Sequence, residues 1–180
     1  MKQIIKAMSI GVMAMMMVTS CTVEKNKGYT IDGEVSSVKD AMVYLKKYVE
    51  KSFVDVDSAV ITDGKFKFEG VVSEALAHGL TTQKESRRPL VFFLDNDAMT
   101  VKLNESDKKL VVTGSSVNDI YMANAPIVRS KGYSLDSLLS EHPASPVSAY
   151  FVVKDFAYKL NLEEMKSVRS KLDASLDGTS

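Results

Sequence analysis

Apolar and polar residues alternate through much of the chain between residues 29 and 114. In the clearest stretch, Phe66 and Phe68 alternate with three charged residues. A period of two predicts β-strands that bury one face and expose the other. Seven or eight such strands, the last at residues 109–113, predict an antiparallel β-sandwich or an open barrel-like sheet.

Turn residues divide these strands. Asp63-Gly64 is the dipeptide that favours a tight type I′ hairpin. Asp95-Asn96-Asp97 is predicted to form a second hairpin turn. It also resembles the start of a calcium loop, but Met99 stands where the loop needs an oxygen ligand, so the turn is favoured.

Helical spacing replaces the alternation in residues 115–180. Candidate helix starts are Ser116 with Asp119, Ser134 with Ser137, Ser145 before Pro146, and Asn161 with Glu164. The third helix is expected to be largely buried through Tyr150, Val153, Ala157 and Leu160, and the fourth carries an apolar stripe from Leu162 to Leu176 that needs a cover. The predicted class is mainly β with C-terminal helices (α+β): an antiparallel sheet domain followed by a small helical segment.

The amino terminus has the pattern of an export signal. A basic start, residues 1–6, precedes an apolar run, residues 7–18, which is shorter than the roughly 20 residues of a permanent membrane span. Val18-Thr19-Ser20-Cys21 resembles a bacterial lipobox. Residues 1–20 are therefore predicted to be a cleaved signal peptide, Cys21 to be lipidated (palmitate), and residues 21–28 to form a polar tether.

These features predict a lipoprotein of the cell envelope. Thr22 follows the cysteine in place of the Asp that retains lipoproteins at the inner membrane of enteric bacteria, so the outer membrane is preferred. The periplasmic face and the cell surface both stay open. The membrane is the expected partner, with a protein partner or a homodimer as further alternatives. Nucleic acid is not expected, because removal of the leader leaves a net charge of −2.

Residues that could carry chemistry do not form a complete set. His78 and His142 lie in different segments and outside any metal-ligand spacing. The serines lack a partnering histidine and acid, and no glycine-rich phosphate loop occurs. Arg87-Arg88 could bind a carboxylate or phosphate, although a solvated loop explains this pair more simply. We therefore predict no catalytic residues, no metal ligands and no cofactor.

Two further patterns concern carbohydrate. Asp57-Ser58-Ala59 and Asp136-Ser137-Leu138 match a short O-glycosylation pattern that is frequent by chance. In a chain without tryptophan, Tyr29, Tyr44 and Tyr48 are the candidates for stacking on a bound sugar. Carbohydrate binding is kept as a third alternative.

Several segments together resemble a known family. They are Tyr29–Val35, Ala41–Leu45, Asp57–Gly70, Leu90–Asp95, Val111–Ser115 and His142–Tyr150. This set is similar to the N-terminal domain of unknown function numbered 4369, which occurs on lipoproteins of anaerobic Gram-negative bacteria. There it often precedes a TlpA/ResA-like thioredoxin domain, so the resemblance implies an accessory or dimerisation role beside a redox domain.

The sequence departs from that arrangement in its thiol content. Cys21 is the only cysteine, so the chain has no Cys-x-x-Cys pair with which to exchange disulfides. The first hypothesis is therefore a membrane-anchored, non-catalytic binding or accessory module, which is not an enzyme by itself. The alternative is the N-terminal accessory part of a periplasmic thiol-disulfide oxidoreductase whose catalytic domain this chain does not contain.

Overall fold

The computed structural model of the protein describes residues 28–178. The predicted signal peptide, Cys21 and the tether up to residue 27 lie outside the described residues. The strands are β1 (Tyr29–Val35), β2 (Ala41–Val49), β3 (Ser52–Ile61), β4 (Lys65–Gly70), β5 (Leu76–Thr81), β6 (Leu90–Leu94), β7 (Ala98–Asn104) and β8 (Lys109–Thr113). The helices are α1 (Ser116–Asn124), α2 (Leu135–Glu141), α3 (Pro146–Phe151) and α4 (Leu162–Lys171). None of the helices within residues 28–178 has the length and apolar character needed to cross a bilayer.

The eight strands form two four-stranded sheets, which confirms the predicted mainly β fold with C-terminal helices. Sheet A has the order β4-β1-β7-β8, and sheet B has the order β3-β2-β5-β6. Every named pair is antiparallel except β1 and β7, which run parallel. The expectation of a wholly antiparallel domain is therefore wrong for this pair.

The connection from β6 to β7 explains the parallel pair. Asp95-Asn96-Asp97 carries the chain from sheet B to sheet A, so the predicted hairpin turn is a crossover between sheets. The Asn96 amide holds it in place: its Nδ2 donates to the Val72 carbonyl at 2.6 Å, and its Oδ1 accepts from the Val72 N–H at 2.9 Å. The chain thus enters sheet A at the end where β1 begins, with Ala98 opposite Thr30.

The predicted type I′ hairpin between β3 and β4 is confirmed. Asp63 and Gly64 both have positive φ, at 50° and 76°. Thr62 and Lys65 exchange two backbone hydrogen bonds of 2.9 Å across the turn. This geometry matches the twist of the two strands that it joins.

The main core lies between the two sheets. Ile31, Val43, Leu45, Leu80, Phe92, Val101 and Leu103 are among its buried side chains. Gly33 faces Phe66 across the β1–β4 pair, and a β-carbon at Gly33 would lie only 2.0 Å from the phenyl ring. The absence of a side chain at this position makes room for the ring.

The helical segment covers the other face of sheet B. Ala77 and Phe93 of the sheet pack there against Val128, Leu138, Val147 and Phe151. The caps predicted at Ser134, Ser145 and Asn161 are confirmed, including the capping box of Asn161 with Glu164. The first helix is capped by Ser115 instead of the predicted Ser116, because the Ser115 hydroxyl accepts from the Asn118 N–H. The molecule therefore has three layers: sheet A, sheet B and helices.

A π-helical turn follows α3 and changes which residues are buried. This turn, Val152–Phe156, adds one residue to the helical repeat. Val153, which was predicted to be buried, is 68% exposed, whereas Val152 and Asp155 are buried. The prediction of a regular helix that buries the face from Tyr150 to Leu160 is therefore wrong beyond residue 151.

The apolar stripe of α4 is covered in part. Val168 is buried against Leu139 of α2 and Val152, with Leu172 packed beside them. Leu162, at the start of the predicted stripe, is 69% exposed. The expectation that the stripe needs a cover from outside is therefore wrong for its central part, which α2 and the π-helical turn cover.

Asn118 joins the helical layer to the edge of sheet B. Its side chain is fully buried, and its Oδ1 accepts from the Phe93 N–H at 2.8 Å while its Nδ2 donates to the Phe93 carbonyl at 2.6 Å. Its Nδ2 also donates to the Ser115 hydroxyl, which itself donates to Asp95 at 2.6 Å. The amide thereby occupies the position of a neighbouring strand on β6.

We expect Asn118→Leu to lower the free energy of unfolding by about 2–5 kcal/mol, because it leaves the buried N–H and carbonyl of Phe93 unpaired. Chemical denaturation followed by circular dichroism measures this loss. The matched control is Asn104→Leu, since among residues 28–178 the Asn104 side chain bonds only to the nearby exposed residue Asp107. Equal losses in the two variants would contradict the role given to Asn118.

Candidate functional site

An open groove of about 300 Å³ lies between the outer face of sheet B and α3. The sheet contributes Tyr48, Ala77 and Phe93, and α3 contributes Ala149 and Tyr150. The alternation of side chains along β2, β5 and β6 turns these sheet residues towards the helices and away from the main core. The result is a concave, mostly apolar and aromatic surface.

Tyr150 is the central ring of this surface. It meets Phe93 edge-on, with ring centroids 5.5 Å apart and an interplanar angle of 87°. It also meets Tyr48 and Tyr121 edge-on, each at a centroid distance of 6.1 Å. Edge-to-face packing is a favoured geometry for aromatic pairs. Rings from β2, β6 and α1 therefore fix the position of Tyr150.

Lys154 brings a positive charge to this aromatic cluster. Its Nζ lies 4.8 Å from the ring centroid of Tyr150 and 5.5 Å from that of Tyr48, and it donates a hydrogen bond to the Tyr150 hydroxyl. Burial lowers the pKa of Lys154, and the nearby Asp155 opposes that effect. The ammonium therefore lies over two of the rings that line the groove.

A second, smaller cavity of about 180 Å³ shares Tyr150 with the groove. Asp155 and Arg129 lie in its wall, with the Arg129 Nε donating to Asp155 Oδ1 at 2.6 Å. The Asp155 side chain is only 6% exposed, whereas that of Arg129 is 73% exposed. The guanidinium thus compensates a buried carboxylate from the solvent side of the cavity.

The two tyrosines of the cavity stay protonated at neutral pH. Burial, reinforced by Asp155, raises the pKa of Tyr121 to about 12. Burial also raises the pKa of Tyr150, with a further contribution from Tyr121. Both hydroxyls are therefore neutral groups that can donate a hydrogen bond.

The groove and the cavity together combine an apolar wall with a few converging polar groups. This combination is typical of sites that bind small molecules. Within residues 28–178, no group of three or more His, Cys, Asp or Glu side chains is placed to hold a metal ion. The chemistry that the described part offers here is hydrogen bonding, charge and apolar contact.

The two histidines have different structural roles. His78 is buried in β5, where its Nδ1 lies 2.9 Å from the Leu76 carbonyl and its ring packs near Phe92. His142 forms the C-cap of α2. The structure brings neither residue into the groove or the cavity.

Arg87, Arg88 and the crossover loop also lie outside the site. Both arginines are exposed in the loop between β5 and β6, and within residues 28–178 neither forms a salt bridge. Asp95 is half-buried, and burial raises its pKa. Its Oδ2 accepts from Ser115, so its role in the described structure is to tie the crossover to α1.

The residues considered for carbohydrate chemistry are dispersed. Ser58 and Ser137 are both exposed, on β3 and at the start of α2, so either hydroxyl is accessible to a modifying enzyme. Tyr29 belongs to the buried main core, which removes it as a surface for stacking on a sugar. Tyr44 is half-buried, and Tyr48 is the only one of the three candidate tyrosines that lines the groove.

Sequence reasoning missed most of the site. It identified Tyr48 as a sugar-stacking candidate and Tyr150 as part of a buried helix face, but it did not single out Arg129, Lys154 or Asp155. One signal was present: Lys154-Asp155 is a charged pair inside the apolar segment from Tyr150 to Tyr158. A charged pair in such a segment needs a partner or a function.

Comparison with protein families identifies the family of the chain. The family described as domain of unknown function (DUF4369) matches residues 29–121, and the chain belongs to this family. The matched segment comprises both sheets and ends in α1 at Tyr121, so Arg129, Tyr150 and Lys154 lie beyond it. Comparison with curated proteins gave no match.

The buried His78 makes stability depend on pH. Burial lowers its pKa below the ordinary value of 6.5, and the positive charge of Lys47 adds to this effect. The unfolded chain therefore binds the proton more readily than the folded chain. The contribution of neutral His78 to the free energy of unfolding is fully present above about pH 6.5 and is lost as the pH drops below that value. We expect the wild type to lose more free energy of unfolding between pH 7.5 and 5.0 than His78→Gln, by up to about 1.4 kcal/mol per pH unit.

Urea denaturation at the two pH values measures this difference. His142→Gln is the control, because His142 is a half-exposed helix cap and not a core residue. We expect the control to follow the wild type. If His78→Gln also follows the wild type, His78 does not cause the pH dependence.

Proposed function

We propose that the protein is a lipid-anchored module of the cell envelope that binds a small, largely apolar ligand and does not catalyse a reaction. The lipobox at Cys21 and the apolar leader support the anchor. The aromatic groove between sheet B and α3 supports the binding role, and it is the observation on which the proposal depends.

The walls of the groove suit a ligand with an aromatic or aliphatic body. Phe93 and Tyr150 are fixed by their mutual edge-to-face contact, so they present a surface that is ordered before a ligand arrives. A preformed surface avoids the entropy of ordering side chains on binding. The volume of about 300 Å³ is at the lower end for small-molecule sites, so the ligand is expected to be small.

We expect the soluble domain, residues 22–180, to bind the neutral fluorescent probe N-phenyl-1-naphthylamine. Ala149→Phe should reduce its affinity by at least about tenfold, because a phenyl ring on α3 would fill the groove. A fluorescence titration measures the effect. The matched control is Ala123→Phe, since Ala123 is exposed on α1 and lies outside the groove.

Two outcomes would count against the groove. Failure of the wild type to bind the probe would contradict the proposal directly. Equal affinities of the wild type and Ala149→Phe would show that the probe binds elsewhere. Circular dichroism of each variant confirms that the comparison is between folded proteins.

A second candidate function follows from the exposed apolar residues on the helical side. Val153, Tyr158 and Leu162 are each more than two thirds exposed, around the π-helical turn and the start of α4. Such residues could contact a further domain or protein. This observation favours the alternative in which the chain is the accessory part of a thiol-disulfide oxidoreductase.

The intact mass of the native protein, extracted from membranes in detergent, tests the anchor and the alternative together. The measured mass is compared with that of residues 21–180, and we expect it to show acyl groups on an N-terminal Cys21 that are absent from Cys21→Ser. An unmodified Cys21 would contradict the anchor. A much larger mass that includes a Cys-x-x-Cys segment would favour the oxidoreductase alternative.

A further inference from the structure

The charges beside the groove do not balance. Three charged side chains line the cavity that shares Tyr150 with the groove: Lys154, Arg129 and Asp155. Asp155 is paired with Arg129, and within the described residues Lys154 has no carboxylate within ion-pair distance. Two cations and one anion leave a net charge of +1, with Asp155 buried, Lys154 half-buried and Arg129 exposed to solvent. Glu50 and Lys51, the two charged residues that line the groove itself, carry opposite charges and add no net charge.

We propose that the groove binds an amphiphilic carboxylate, with its apolar chain along Phe93 and Tyr150 and its carboxylate beside the Lys154 ammonium. This inference rests on the proposed function, since it names the chemical class of the ligand that the groove takes. Charge complementarity carries it: the groove is mostly apolar, and the ammonium over two of its tyrosine rings forms no direct ion pair with a carboxylate of the described residues.

The position of Lys154 fits this role. Its Nζ is within 5.5 Å of the ring centroids of Tyr48 and Tyr150, both of which line the groove, so a headgroup at the boundary would meet the ammonium directly. The half-buried lysine is partly removed from water, which disfavours its charged form. A ligand carboxylate would offset that cost through a charge-assisted hydrogen bond.

Arg129 and Tyr121 extend the polar end of the site. Arg129 uses its Nε for Asp155, and in residues 28–178 its terminal nitrogens make no further hydrogen bond, so they can still donate. Tyr121 lines the same cavity, and its hydroxyl is likewise without a hydrogen bond to the described residues. Donors therefore outnumber acceptors at this end, which again favours an anion.

Displacement of bound N-phenyl-1-naphthylamine by decanoate and by decanol tests the inference. The two compounds share the same chain length and differ in the charge of the headgroup. We expect decanoate to displace the probe from the wild type at a lower concentration than decanol. Lys154→Met should weaken decanoate by about ten- to hundredfold and leave decanol unchanged, because Met keeps the apolar stem and removes the charge.

Lys159→Met is the matched control. Lys159 also lies over aromatic rings, 5.2 Å from the centroid of Phe156 and 5.0 Å from that of Tyr158, but outside the groove and the cavity. The Lys159→Met variant should bind decanoate as the wild type does. Equal displacement by decanoate and decanol, or equal effects of the two lysine variants, would overturn the carboxylate inference while the apolar groove stands. Failure of the wild type to bind the probe would overturn both.

Discussion

The amide of Asn118 is the constraint on which the arrangement of the three layers depends. An edge strand presents unpaired N–H and carbonyl groups, and in a buried position these must find partners. Asn118 supplies both partners to Phe93 and so closes the edge of sheet B with a side chain from α1. One turn later on the same helix, Tyr121 reaches the aromatic cluster, where it stacks on Phe151 with ring centroids 5.6 Å apart. The hydrogen bonds that fix α1 against β6 therefore also fix where Tyr121 meets the aromatic rings beside the groove.

The strands and caps could be predicted because their signals are local. Alternation located the strands, Asp63-Gly64 specified its turn, and Ser145-Pro146 specified a helix start. Sheet membership is not local. The short segment after β6 could equally reverse the chain into a hairpin or carry it to the other sheet, and alternation cannot distinguish these outcomes. The unbroken apolar run of β6 did hold a clue, because a strand with apolar residues on both faces is covered on both faces.

The site could not be predicted from the sequence for a different reason. Its residues come from β2, β5, β6, α1, the segment after α1, α3 and the π-helical turn, so they are separated by up to about a hundred residues. The additional residue of the π-helical turn then shifts the helical repeat, which exposes Val153 and buries Asp155. A regular period of 3.6 residues predicts a different buried face. Tertiary contact and one irregular turn, rather than any residue motif, create the polar end of the groove.

The polar residues of this wall are not explained by stability alone. Asp155 is compensated by Arg129, yet replacing a buried ion pair by apolar residues of similar volume is often neutral or stabilising. Lys154 forms no such direct ion pair within the described residues, and the nearby charge of Asp155 and the two tyrosine rings offset its desolvation only in part. An apolar side chain at position 154 would pack on the same rings without this desolvation. The charge is therefore better understood through what it can attract into the neighbouring groove than through what it adds to the fold.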